Sequence, residues 1–250
     1  MPAASVRVAA AAVTFLTRVP VARSSNLDGA DVARAASLFP VVGLAVGACA
    51  GGVALGLGHV LPSLAASALG VAVALVLTGA LHLDALADVA DAAGAFTRER
   101  ALEIMRDSRV GTFGAAAIVL DLLLKVVAIG ALIGRGGAVQ AVAASGALSR
   151  AAGLPIAAFL PYPRVGGGIG SVLTGRIGRL APAVGTAFAI AIAVALLGWT
   201  GAIMAGVAAA TAVVAIGIYR RWLGGATGDC IGAVIELTEL AVLLVAAARA

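Results

Sequence analysis

Seven runs of about 20 apolar residues dominate the chain, at roughly 36–58, 63–83, 111–134, 137–160, 181–198, 201–219 and 230–248. Runs of that length match a hydrocarbon layer about 30 Å thick, and inside it a helix satisfies its own backbone hydrogen bonds. The expected fold is therefore all-α: a polytopic transmembrane helix bundle of about seven spans. Glycine and alanine crowd these runs, which suits close helix–helix packing. The fifth and sixth are separated only by the short hinge at 199–201. No repeat or linker divides residues 1–250, so a single integral-membrane domain is expected.

Ahead of the first span, "MPAASVRVAAAAVTFLTRVP" has a short apolar core followed by Arg18 and Arg23. That pattern reads as an amphipathic interfacial helix rather than a cleaved leader. Composition agrees with the membrane assignment: 62% of residues are hydrophobic and 12% charged, against about 25% charged in soluble domains. Cys49 and Cys230 form neither a disulfide framework nor a metal spacing.

The net charge of +5 comes from isolated arginines and one lysine. Without basic runs it argues against nucleic-acid binding and reports orientation instead. With seven spans, 13 arginines, including Arg23 and Arg176, fall on the N-terminal side of the membrane, and only Arg135 and Arg249 on the other. Arg150 and Lys125 lie within spans. The expected location is the plasma (inner) membrane of a prokaryote, N-terminus in the cytoplasm. Both clusters of acidic residues then face the cytoplasm too, which the arginine count did not require.

Of 12 acidic residues, nine lie in 84–107 or 229–239. Asp84, Asp88 and Asp91 fall at about 0°, 40° and −20° around a helix, one narrow stripe at the end of the second run. Like charges so placed repel one another unless a cation compensates. Oxygen donors without cysteine suit a hard ion, Mg²⁺ or Mn²⁺. The ordinary alternative, a solvated helix end, is weaker here because ionisable groups attached to a span are usually functional. His82 points away from Asp84 on an ideal helix and joins the stripe only if the helix breaks.

In the second cluster Asp229, Glu236 and Glu239 also share a face, at about 0°, −20° and −80°. Gly224, Gly225 and Gly228 precede it, and such glycines let backbone N–H groups approach phosphate. Glu236 and Glu239 lie inside a span, where a carboxylate without a partner is costly. A metal or a basic group would relieve them. Between the clusters, "RERALEIMRDSRVGTFG" brings Arg106, Asp107, Ser108, Arg109 and Gly111 into a loop suited to anions, since arginine offers forked donors to phosphate. It reads equally as a positive-inside loop. Arg150 sits mid-span and needs a partner. Lys125 either pairs with Asp121 four residues earlier or contacts substrate. A carboxylate–metal site beside an arginine loop fits phosphoryl transfer.

Six stretches carry a resemblance: "FLTRVP" (15–20), "LFPVVGLAVG" (38–47), "HLDALADVADA" (82–92), "EIMRDSRVGTFG" (103–114), "SRAAG" (149–153) and "LGGATGDCIGAVIELTEL" (223–240). Together they resemble the cobalamin synthase family, the adenosylcobinamide-GDP ribazoletransferases, over about residues 13–245. The resemblance implies that a hydroxyl of α-ribazole, or of its 5′-phosphate, attacks the corrinoid-side phosphorus of adenosylcobinamide-GDP and GMP leaves, with Mg²⁺ as cofactor. It implies Asp84, Asp88, Asp91 and Asp229 as metal ligands and Glu236, Glu239 and His82 as catalytic groups. It places Arg106, Asp107, Ser108 and Gly228 at the site, and the reading of the residues adds Arg109, Gly111, Lys125, Ser149, Arg150, Gly224 and Gly225 as expected substrate contacts. The stripes on the second and seventh spans are expected to face each other across one site, with Glu236 or Glu239 taking the hydroxyl proton. Partners are the two substrates and the bilayer, and the oligomeric state stays open. A cation-coupled transporter is the alternative, although transporters favour midplane carboxylates and repeated halves.

Overall fold

The computed structural model describes residues 4–21, 27–164, 169–174 and 177–249. Arg23 and Arg176 lie outside these. Among the described residues there are helices and no strands. They run α1 (Ala4–Leu16), α2 (Gly29–Ala35), α3 (Phe39–Leu57), α4 (Ser63–Thr78), α5 (Leu81–Ala92), α6 (Arg98–Ile104), α7 (Thr112–Arg135), α8 (Ala138–Phe159), α9 (Leu180–Leu197), α10 (Trp199–Trp222) and α11 (Gly228–Arg249).

Six helical stretches are long and apolar enough to cross a membrane: α2 running into α3, then α7, α8, α9, α10 and α11. A seventh would be α4 with α5, but that pair is bent by 91°. The expected second span, 63–83, therefore stops at Thr78. Gly79 and Ala80 both take left-handed backbone angles, φ 65° and 57°. Gly79 N–H returns to the Val76 carbonyl at 3.4 Å and Ala80 N–H to that of Leu75 at 3.0 Å, a Schellman-type closure that ends a helix. Ala80, the sole non-glycine with positive φ among the described residues, carries a strain of roughly 1–2 kcal/mol. Arg18 braces the break: its N–H donates to the Leu77 carbonyl at 2.7 Å and its side chain packs on Gly79. The acid stripe thus belongs to a separate helix, turned across the bundle.

The centre is α8, buried at every residue from Ala141 to Leu154. It packs closely on α3, α9 and α11. The α3 approach is at backbone distance, since a Cβ on Gly43 would overlap the Gly146 carbonyl and one on Gly47 that of Val142. Small residues four apart serve this contact, as in other membrane helix pairs. The expected N-terminal helix is present as α1, and buried Ala11, Ala12 and Leu16 seat it on the bundle. Arg7 and Arg34 both reach the buried Asp31 carboxylate at 2.7 Å, tying α1 to α2.

Candidate active site

Around α5, α8 and the start of α11 lies a cavity of about 280 Å³. Its polar wall carries His82, Asp84, Arg150, Tyr162, Arg164, Gly228 and Asp229. The rest of its lining is mostly apolar, with Phe15, Leu16 and Phe39 among its members. The Phe15 and Phe39 rings stack there at 5.6 Å. Gly232 brings α11 onto α5: a Cβ there would come within 2.5 Å of that of Ala85. That contact places Asp84 and Asp229 on one cavity, as expected for two facing helices. The break at 79–80 precedes His82, which lines the cavity with Asp84.

The four aspartates expected to bind metal divide. Charges on Asp84, Asp229 and Asp91 all repel one on Asp88, and Arg164 attracts it. Asp229 accepts from Arg164 Nη2 and from the Thr227 hydroxyl, both at 3.1 Å. Asp91 is turned away, accepting from the backbone N–H groups of Gly111 at 2.7 Å and Gly114 at 2.8 Å. It caps α7, where a carboxylate meets the positive end of the helix dipole. Asp91 and Gly111, expected at metal and anion, therefore hold each other. Seven residues, about 10.5 Å of helix rise, separate Asp91 from Asp84. Among the described residues no three His, Cys, Asp or Glu side chains are grouped closely enough to hold a metal ion.

The second stripe splits for the same reason. Glu236 lies seven residues beyond Asp229 and sits deeper, in a buried ionic cluster with Glu239. Lys125 pairs with Glu236, with Asp121 at 3.1 Å and with Glu239 at 3.6 Å. Arg150 pairs with Glu239 and donates to Ser149 Oγ at 2.9 Å. Glu236, Glu239 and Lys125 line a separate, narrow cavity of about 30 Å³. His82 and Arg150 line both cavities and form the wall between them. Placing Glu236 and Glu239 at one centre with Asp229 is thus corrected: each carboxylate faces a cation away from the aspartates. The mid-span need of Arg150 for a partner is met by Glu239, and Asp121 and Lys125 do pair.

The arginine loop is shaped largely by local contacts. Arg109 donates from Nη2 to Asp107 at 2.5 Å, and its guanidinium holds the Asp107 carboxyl down at about 2. Arg106 and Ser108 are exposed beside them. Met105 is buried and anchors the loop against the Thr227 hydroxyl at 3.9 Å. Of Gly224, Gly225 and Gly228, only Gly228, the first residue of α11, lines the cavity. Gly224 adopts φ 65° beside the Arg98 guanidinium, and a Cβ on Gly225 would overlap the Pro161 carbonyl. These two serve chain packing rather than an open anion nest.

Sequence reasoning missed Tyr162, Arg164 and the aromatic wall. The available signal for Arg164 was one arginine in the polar break "YPRVGGG" between two apolar runs.

Comparison with known proteins shows the family. The chain is 41% identical over 242 residues to a protein of Syntrophobacter fumaroxidans named adenosylcobinamide-GDP ribazoletransferase, covering 94% of this chain and 96% of that one. A Klebsiella pneumoniae protein of the same name is 42% identical over 241 residues, with the same coverage. One from Escherichia coli is 38% identical over 239 residues, covering 94% and 96%. No solved structure matches the chain. Residues 8–247 match the cobalamin-5-phosphate synthase family, and the chain belongs to that family.

Proposed function

We propose that the protein joins adenosylcobinamide-GDP to α-ribazole or α-ribazole 5′-phosphate, releasing GMP, at the cytoplasmic face of a prokaryotic plasma membrane. The observation that carries this is the cavity where His82, Asp84 and Asp229 meet Arg164 beside an apolar, aromatic wall. Such a cavity suits an anionic diphosphate at one end and a flat heteroaromatic base at the other. The arginine asymmetry supports the cytoplasmic side, and family membership favours transfer over cation transport.

Asp84, Asp88 and Asp229 carry carboxylate oxygens, the donor type that Mg²⁺ prefers, and would hold the ion only by drawing closer together than they stand. When bound, Mg²⁺ would neutralise the diphosphate and the charge that develops on departing GMP. The acceptor hydroxyl oxygen bonds to the corrinoid-side phosphorus, the bond from that phosphorus to the bridging oxygen breaks, and the hydroxyl proton needs an acceptor. Glu236 and Glu239, expected in that role, lie outside the cavity, and of the three residues expected to be catalytic only His82 lines it with the aspartates, so an imidazole nitrogen of His82 takes the proton. Arg150, held by Glu239 and Ser149, orients the wall behind His82. The stacked Phe15 and Phe39 exclude water from one side.

The test is GMP release by protein reconstituted in liposomes with adenosylcobinamide-GDP, α-ribazole and Mg²⁺. GMP should form only with all three present. Equal release without acceptor, or after removal of divalent ions, would overturn the proposal.

A further inference from the structure

We infer that Arg164 is the fork that grips a substrate phosphoryl group in the cavity, exchanging its partial contact with Asp229 for a fuller one. The inference rests on the transferase reading and names a residue for its phosphate chemistry. Asp84 and Asp229 make the polar wall repulsive toward an anionic substrate, so a cation must offset them. Two arginines line that wall. Arg150 is engaged by Glu239 and Ser149. Arg109, the loop arginine expected to close over phosphate, is spent on Asp107.

Arg164 differs from both. Its Nη2 meets Asp229 at 3.1 Å, while its Nε is buried and has no acceptor among the described residues. Asp229 therefore uses half of a donor edge that a carboxylate or phosphate can fill completely. A buried donor left unpaired is unfavourable, and a phosphoryl group, with several oxygens, removes the deficit. The side chain is 11% exposed, so it is shielded from bulk water yet borders the cavity.

The backbone that presents it is strapped down. The Pro161 carbonyl accepts from Ala226 N–H at 3.0 Å, and the Pro163 carbonyl from Arg98 Nη2 at 3.3 Å. The first strap ties the 161–164 segment to the residues just before α11, near Asp229, and the second ties it to the start of α6. Position and orientation are set before substrate arrives, which is what a binding fork requires.

Two sources of phosphoryl oxygen are available, the donor's diphosphate and the 5′-phosphate of a phosphorylated acceptor. The experiment compares wild type with Arg164→Lys and Arg164→Gln in liposomes. It measures equilibrium binding of adenosylcobinamide-GDP without acceptor, then KM and kcat with α-ribazole and with α-ribazole 5′-phosphate. Lysine keeps the charge but not the fork. If the donor diphosphate is held, Arg164→Lys weakens donor binding about tenfold to a hundredfold and leaves the KM of unphosphorylated α-ribazole within about twofold. If the acceptor's phosphate is held, donor binding stays constant and only the KM for α-ribazole 5′-phosphate rises by that factor. Should Arg164→Lys match wild type in both, Arg164 merely neutralises Asp229 and the inference falls. A wild type that binds adenosylcobinamide-GDP but never releases GMP would instead defeat the transferase reading. Arg164→Lys covers the case in which Arg164→Gln does not fold.

Discussion

Two acid-bearing regions share α5, α8 and α11, and they are built on opposite plans. Around the larger cavity, Asp84 and Asp229 share one lining with Arg164, and their charges act on Asp88 beside it. In the deeper cluster, Asp121, Glu236 and Glu239 are interleaved with Lys125 and Arg150. The first has an excess of negative charge beside open volume. The second is close to balanced and nearly filled. Carboxylates inside a membrane protein can serve binding or cohesion, and the nearest cations decide which.

The largest effect that separates the regions is on turnover. Asp84→Asn should lower GMP release at least about a thousandfold, since charge stabilisation of a transferring phosphoryl group supplies factors of that size. The protein should still enter the membrane and melt within a few degrees of wild type, because Asp84 is exposed and no ion pair among the described residues holds it in place. Near-normal release would place the metal chemistry elsewhere.

The deeper cluster should respond in the opposite sense. Lys125→Met leaves Asp121, Glu236 and Glu239 short of a cation, and breaking a buried pair costs about 3–5 kcal/mol. Thermal melting in detergent reads that loss. Pairing Lys125→Met with Glu236→Gln removes one charge of each sign and should recover much of the stability. Recovery of GMP release along with it would fix Glu236 as structural. Stability restored without activity would return Glu236 to the chemistry.

The helical type and six of the seven expected spans were legible because apolar runs of span length are a strong signal; most of their ends agree within a few residues. The break at 79–80 was not, although Gly79 was visible, because Ala80 carries no signature of left-handed backbone. The stripes themselves were legible as angles around a helix. What the angles omit is rise: Asp229 and Glu236 share a face yet lie about 10.5 Å apart along the axis, enough to reach different neighbours. Arg150 announced its need for a partner and found Glu239. Arg164 and the aromatic wall of Phe15 and Phe39 were invisible because they depend on which helices pack together.

Asp91 offers a finer test of the division. Asp91→Asn keeps one acceptor for the Gly111 and Gly114 N–H groups but loses the charge at the α7 N-terminus. As a cap, that substitution should cost about 1 kcal/mol and leave the Mg²⁺ dependence of GMP release unchanged. A rise of the half-saturating Mg²⁺ concentration by tenfold or more would move Asp91 back among the metal ligands.

The smallest effect is expected where the arginine loop is exposed. Asp107 is held at about 2 by the Arg109 guanidinium and backbone N–H. Its folded value lies below the usual carboxylate range. The pairing therefore contributes fully above about pH 4, the unfolded value, and is lost as pH falls through about 2. Across the neutral range the pair is intact and adds no pH dependence to turnover. Asp107→Asn releases Arg109 from this local contact. If Arg109 is only a surface charge, donor KM moves by less than about fivefold, the size of an exposed ion-pair effect. If Arg109 closes over the phosphate, freeing it lowers donor KM, and adding Arg109→Gln raises it above wild type. GMP release against adenosylcobinamide-GDP concentration for the single and double variants separates the two. A KM for Arg109→Gln equal to wild type would leave Arg164 as the arginine that meets the substrate.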